Sequence, residues 1–373
     1  MAQQEHANGA ANEGATLVGV VHAFNVEGLA GWMRAHVDGF MGTAADLSVE
    51  QFQGGQSNPT YRIRSGTTSW ILRRKPPGKL LPSAHAIDRE YRIMSALAQT
   101  DVPVPTMLGL CEDPEVIGTA FYLMEYITGR ILWEPTLPDM TPEQRRAHYD
   151  EINRVIAAMH RVNYSAIGLG DFGKTGQYIE RQIARWGKQY LAGCEGENAA
   201  PRIANMDKLM AWLPAHLPDA DATAIAHGDF RLDNLVWHPT EPRILAVLDW
   251  ELSTLGHPLS DFAYLMLAWR MPPRAFRGMA GANFKELGIP TEAEFIADYC
   301  RRTGRESIPN FDYYIIFNVF RIAAIIHGIW ARALAGNASD QNALELGKRA
   351  ERLADAGWMM AQKLSGNTPT QGA

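Results

Sequence analysis

A chain of 373 residues is long enough to bury two separate cores, and 46% hydrophobic with 20% charged residues places it among globular proteins, not disordered or fibrous ones. A net charge of −6 leaves no basic footprint for nucleic acid, and no run of lysine or arginine marks a membrane-surface patch. The three cysteines, Cys111, Cys194 and Cys300, are widely spaced, form no CxxC pair and are odd in number, which points to a reducing cytoplasm.

Residues 1–22 lack a basic start followed by a sustained apolar core, so they read as a disordered lead-in and not as a signal peptide. Residues 26–41 place Leu29, Trp32, Met33 and Val37 at helical spacing. Strand-like runs follow at 47–53, 60–64 and 69–73, the first two flanking GGQSNP, which predicts an antiparallel meander with a Gly-rich first turn. After a break at 76–78, residues 85–99 predict a helix with Ile87, Tyr91, Met94 and Leu97 as its apolar positions. Two more strands are expected at 104–110 and 119–126, then a proline-bearing connection as far as Pro142. From there helices are expected at 142–161, 176–191 and 206–213. Short strands return at 224–226, 235–238 and 243–248, and the chain beyond Pro258 is helical until a polar tail at 365–373. The most apolar stretch, 314–330, carries Asn318, Arg321 and His327 and falls short of the roughly 20 apolar residues a membrane span needs. It predicts a buried helix.

The chemistry concentrates in residues 227–234, HGDFRLDN. Gly228 and the short strand before it interrupt any helical run, so Asp229 and Asn234 belong to a tight loop that can point both side chains into one cleft. Asp249 ends the apolar run ILAVLD; a buried strand that ends in a carboxylate presents it at the sheet's edge, where a divalent cation can share it with the Asn234 carbonyl oxygen. A GD dipeptide also opens metallophosphatase sites, but further metal-ligating segments such as GNHE are absent. The turn Gly54, Gly55, Gln56, Ser57, Asn58 reads either as a tight hairpin or as a loop whose backbone N–H groups cover a phosphate. In SWILRRKPPG, alternation sends Trp70 and Leu72 to one face and Ile71 and Arg73 to the other. Arg73 is then the candidate phosphate cation, and Glu90 in the next helix is its expected partner through a charge-assisted hydrogen bond; two solvated surface charges are the alternative. His160, His238, His257 and His327 share no metal-ligand spacing and read as structural, so no zinc site is expected.

Through HGDFRLDNLVWHP, ILAVLDWELSTLGHPLSDFAYL and QFQGGQSNPTYRI the sequence resembles the aminoglycoside phosphotransferase and choline kinase superfamily. It is more closely similar to the kinase-like proteins related to the N-terminal half of some acyl-CoA dehydrogenase family members, from about Phe24 to Lys363. The resemblance implies an α+β, bilobal protein-kinase-like fold, with a small β-rich nucleotide-binding lobe at 23–127 and a larger, mostly helical lobe at 128–364. It implies ATP and Mg2+ as cofactors, Asp229 as the catalytic carboxylate, Asn234 and Asp249 on the magnesium, and His227 and Asp261 in structural roles. Residues 119–129 resemble the strand and linker that join the lobes, with backbone groups of Glu125 to Ile127 on adenine.

Phosphoryl transfer asks for a loop over the phosphates, a cation on them, metal-holding side chains and a carboxylate facing the acceptor hydroxyl, and each has a candidate here. Residues 265–373 carry thirteen Lys and Arg against ten Asp and Glu. A polycationic aminoglycoside would call for an acidic site. The mix of Trp269, Arg270, Arg274, Tyr313, Tyr314, Arg321, Trp330 and Arg332 suits a partly apolar or anionic small-molecule acceptor, such as a hydroxyacyl compound. A nucleotide-binding module without turnover is the alternative from another class, and a metal-dependent hydrolase a third.

Overall fold

The computed structural model describes residues 23–52, 58–76, 86–196, 199–219, 221–273, 277–336 and 343–366, together with the backbone of 15–17. The chain forms two compact units, the first from residues up to Gly170 with His227–Ser253 and Ala282–Phe295, the second from Asp171–Ala226, Thr254–Gly281 and Ile296–Ala373.

In the first unit, β1 (Ala15–Leu17), within the stretch expected as a lead-in, pairs antiparallel with β2 (Ser48–Phe52). β3 (Thr60–Ser65), β4 (Thr68–Arg74), β5 (Met107–Cys111) and β6 (Phe121–Glu125) complete an antiparallel sheet of order β1-β2-β3-β4-β6-β5. Strand alternation divides its side chains. Tyr61, Ile63, Leu72, Phe121 and Leu123 go to one face, and there they form a core with Leu29, Ala30 and Met33 of helix α1 (Val26–His36). Leu72 is fully buried, so truncation to alanine should cost about 2–5 kcal/mol. α1 starts where the Asn25 side chain accepts from Gly28 N–H at 3.0 Å, and it stops at His36, earlier than the apolar spacing predicts, because Val37 turns extended.

Helix α2 (Ile87–Leu97) buries Ile87, Glu90, Ile93, Met94 and Leu97, so a carboxylate lies on its apolar stripe. A short helix α3 (Pro114–Ile117) precedes β6, and α4 (Pro142–Arg161) is set by a capping box between Thr141 and Gln144. A smaller sheet of order β10-β9-β7 joins β7 (Arg130–Ile131), β9 (Leu235–Trp237) and β10 (Ile244–Val247). The chain crosses from β6 onto β9 at Gly129, where any Cβ would stand 2.5 Å from the Trp237 carbonyl oxygen.

The second unit pairs β8 (Ala224–Ala226) with β11 (Thr254–Gly256) and is otherwise helical, with α5 (Tyr178–Gly193), α6 (Ala204–Ala215), α7 (Pro258–Arg270), α10 (Phe311–Leu334), α11 (Ala343–Gly347) and α12 (Arg349–Leu364). The remaining helices are α8 (Phe284–Leu287) and α9 (Glu292–Thr303). By length and composition α10 could cross a membrane, but 72% of its apolar window is buried among its neighbours, the expected core helix. Its polar side chains are used inward, Asn318 Nδ2 donating to the carbonyls of Ser260 at 2.8 Å and Tyr314 at 2.9 Å.

Candidate active site

The sheet face opposite α1 carries Ile71 and Arg73 of β4, which stand directly across from Met124 and Tyr122 of β6. Arg73 therefore points where alternation predicts. Its Nε lies 3.2 Å from Glu90 Oε2, an ion pair by distance whose N–H is not directed along it, and its Nη2 forks to Asp249 Oδ1 at 3.0 Å and Glu251 Oε2 at 3.3 Å. Burial works against the charged guanidinium, but Tyr122, Glu90, Asp249 and Glu251 outweigh it and hold the proton more firmly than in free arginine. Glu90 is 1% exposed; burial pushes its carboxyl up to about 7, with Arg73 and the Tyr122 hydroxyl opposing the rise and Glu251 and Asp249 adding to it.

The loop at 227–234 is pinned at both ends. His227 is fully buried, with Nε2 placed 2.9 Å from the Leu248 carbonyl oxygen while Nδ1 accepts from Asp229 N–H at 3.2 Å, a pair that fits the tautomer protonated at Nε2. Asn234 closes a 3-10 turn over Leu232–Asn234, and its Nδ2 donates to the Asp229 carbonyl at 2.8 Å and to Asp229 Oδ2 at 3.1 Å. Arg231 adds an ion pair to the same oxygen at 3.4 Å and another to Asp233 at 3.1 Å. Leu248 N–H donates to the Asn234 carbonyl at 2.8 Å, which ties the loop to the residue before Asp249. Asp249 itself is left-handed, φ 65° and ψ 56°, a conformation Asp tolerates better than most residues. Trp250, buried against the His227 ring, holds that turn by donating from Nε1 to the Val247 carbonyl at 2.8 Å.

A cleft of about 240 Å³ opens here, with Ile71, Met94, Met124, Ile127, Ile131 and Leu248 among its apolar walls and Arg73, Asp233 and Asp249 as its charged groups. Glu125 and Ile127 of the expected linker both line it, and the Glu125 N–H is committed to the Thr106 carbonyl at 2.9 Å. Gly54, Gly55, Gln56 and Ser57 lie outside the described residues. Asn58, expected with them on a phosphate, is 2% exposed and donates its amide to Glu90 Oε1 at 2.9 Å.

Sequence reasoning missed Tyr122, whose hydroxyl donates to Glu90 Oε2 at 3.0 Å, and Glu251. Strand pairing of β4 with β6 would have found the tyrosine; nothing local marks the glutamate. Asp261 sits buried in the first turn of α7 in the second unit. The acceptor surface read from residues 265–373 needs correction. Tyr313 and Tyr314 are core, the former donating to the Leu213 carbonyl at 3.1 Å, and Arg321 is 5% exposed over the Tyr264 ring. Arg270 pairs with Asp312, and Arg274 lies outside the described residues.

The sequence pattern of the phosphotransferase enzyme family matches residues 48–310. Acyl-CoA dehydrogenase family member 10 of Mus musculus is 47% identical over 335 residues, which are 89% of this chain and 31% of the mouse protein. The chain spans less than half the length of the curated relatives it matches. Among solved structures, a protein of Ralstonia eutropha assigned as an aminoglycoside phosphotransferase is 53% identical with a TM-score of 0.83, covering 91% of this chain and 99% of that one. A thermostable mutant of an aminoglycoside phosphotransferase in ternary complex with AMP-PNP and hygromycin B has a TM-score of 0.55 at 16% identity, over 84% of this chain and 94% of that one; at that identity the likeness is one of fold. The α+β architecture, with a small antiparallel sheet early and helices late, is the bilobal kinase-like one.

Proposed function

Because the chain belongs to the phosphotransferase enzyme family, we propose that it moves the γ-phosphoryl group of ATP, with Mg2+, to a hydroxyl of a small molecule, and that Asp229, Asn234, Asp249 and Arg73 carry the reaction. The observation that supports this best is the convergence of one cation and the loop carboxylates: Arg73 reaches Asp249 at 3.0 Å from 176 residues away, while Asn234 bridges to Asp229. An ordinary surface ion pair contributes little and has no reason to be placed in an apolar cleft.

Asp249 is 36% exposed on its side chain and Asn234 keeps an amide oxygen, so together they offer the hard oxygen donors that suit magnesium. The cation, when bound, supplies charge neutralisation at the β- and γ-phosphates. Arg73 adds positive charge at the same phosphates, and the apolar walls of the cleft accept the purine. Asp229 orients the acceptor hydroxyl and takes its proton as the oxygen–phosphorus bond forms; the bond from the γ-phosphorus to the bridging oxygen breaks, and ADP leaves. Asn234, by holding Asp229 Oδ2, fixes the rotamer from which the proton is received.

For the acceptor we favour a hydroxylated acyl compound. The similarity to a protein named for acyl-CoA dehydrogenase supports this; the assigned name of the Ralstonia protein argues for an aminoglycoside. ATP turnover should be measured over hydroxyacyl thioesters, free hydroxy acids and aminoglycosides, with Asp229→Asn as control. We expect turnover with a hydroxyacyl compound and a 100- to 10,000-fold loss, in order of magnitude, in kcat for the variant with nucleotide affinity kept. Turnover with aminoglycosides alone would rule out the acyl acceptor, and a variant as active as the parent would remove Asp229 from the chemistry.

A further inference from the structure

The carboxylate of Glu90 is held from three directions. Its Oε1 accepts from Asn58 Nδ2 at 2.9 Å, its Oε2 accepts from the Tyr122 hydroxyl at 3.0 Å, and that same Oε2 stands 3.2 Å from Arg73 Nε. Asn58, Glu90 and Tyr122 are each at most 2% exposed, so the carboxylate and both of its donors are shielded from bulk water. They also come from separate elements: Asn58 precedes β3, Glu90 is on α2, and Tyr122 is on β6 directly across the ladder from Arg73.

Resting on the function proposed above, we propose that Asn58 and Tyr122 are positioning residues that clasp Glu90 and thereby aim Arg73 at the phosphates of the nucleotide. Arg73 has a choice of carboxylates, because its Nη2 already reaches Asp249 and Glu251. A Glu90 side chain free to turn about its last bond would lose that competition, and Arg73 would collapse onto the residue that should hold the metal. With both Glu90 oxygens fixed, the negative charge beside the Nε end of Arg73 keeps its place, and only the Nη2 end needs to exchange between Asp249 and a phosphate. An amide and a phenol suit this task because they donate without bringing charge. They orient the carboxylate and leave its attraction for Arg73 uncancelled, whereas a second cation there would weaken it.

The test is a pair of double-mutant cycles read by calorimetric binding of Mg2+–AMP-PNP. Asn58→Leu and Tyr122→Phe, each made in the wild type and in Glu90→Gln, remove one donor apiece; Tyr122→Phe conserves volume and should keep the fold, with melting curves as a check on both. We expect each substitution to weaken nucleotide affinity about tenfold in the wild type and to have almost no effect once Glu90 is an amide. Equal losses in both backgrounds would mean that Asn58 and Tyr122 act on the nucleotide or the fold directly, and unchanged affinity in the wild type would mean that Glu90 needs no clasp; either result overturns the inference alone. A wild type that binds no nucleotide overturns the proposed function itself and the clasp with it.

Discussion

Gly228 sits at φ +85°, and a Cβ there would stand 2.9 Å from the Leu252 carbonyl oxygen, so both the backbone conformation and the space demand glycine. Gly228→Ala should destabilise the protein by more than about 1 kcal/mol and displace Asp229 with it; urea midpoints and kcat should fall together. A midpoint within error of the parent would show that the loop relaxes freely. Glu90 makes a prediction of opposite kind, about protons. Its carboxyl is raised from 4.5 to about 7, so the folded state binds this proton more tightly than the unfolded state does. The stabilisation from that proton is complete below about pH 4.5 and is lost as pH rises through about 7. Between pH 5 and pH 8 the urea midpoint of the wild type should therefore fall relative to that of Glu90→Gln, and parallel curves would show that Glu90 does not titrate in this window.

At the scale of elements, sequence signals worked where they were local and strong. α4 runs over Pro142–Arg161, the range its pattern predicts, because Thr141, Pro142 and Gln144 mark its start unambiguously. Thr141→Ala should cost about 1 kcal/mol of stability and leave nucleotide affinity unchanged, since Thr141 does not line the cleft; a calorimetric titration beside a melt checks both. β7, at two residues, is too short for any period to register and is not among the expected strands, and neither is β11. The face of β4 was legible from alternation, and so was the pairing of Arg73 with Glu90 once helix α2 was in place. The fork from Arg73 to Asp249 and Glu251 was not, because it depends on where two segments 176 and 178 residues apart meet. The aromatic and arginine mix after residue 265 misled for a related reason. Composition cannot tell a binding surface from a core that stacks Tyr314 on His257, and here the core took several of the residues.

Across the whole molecule, the cleft residues share one property: every one falls in the first compact unit, either before Gly170 or within His227–Ser253. A ligand that binds only the folded form of that unit stabilises it by mass action, about 2.7 kcal/mol at a hundred times Kd, and slows the local openings that let amides exchange. Hydrogen exchange with Mg2+–AMP-PNP should then show new protection in β4, α2, β6 and residues 227–253, while α5, α6, α10 and α12 keep the rates of the free protein. Chelating the magnesium should reduce the protection around Asn234 and Asp249 first, since those are the side chains given to it. Adding an acceptor that is turned over should extend protection beyond the first unit if the helices after Asp261 choose the substrate. Protection by nucleotide alone confined to the second unit would move the nucleotide out of the cleft between β4 and Leu248, and the roles given to Arg73 and Asp249 would go with it.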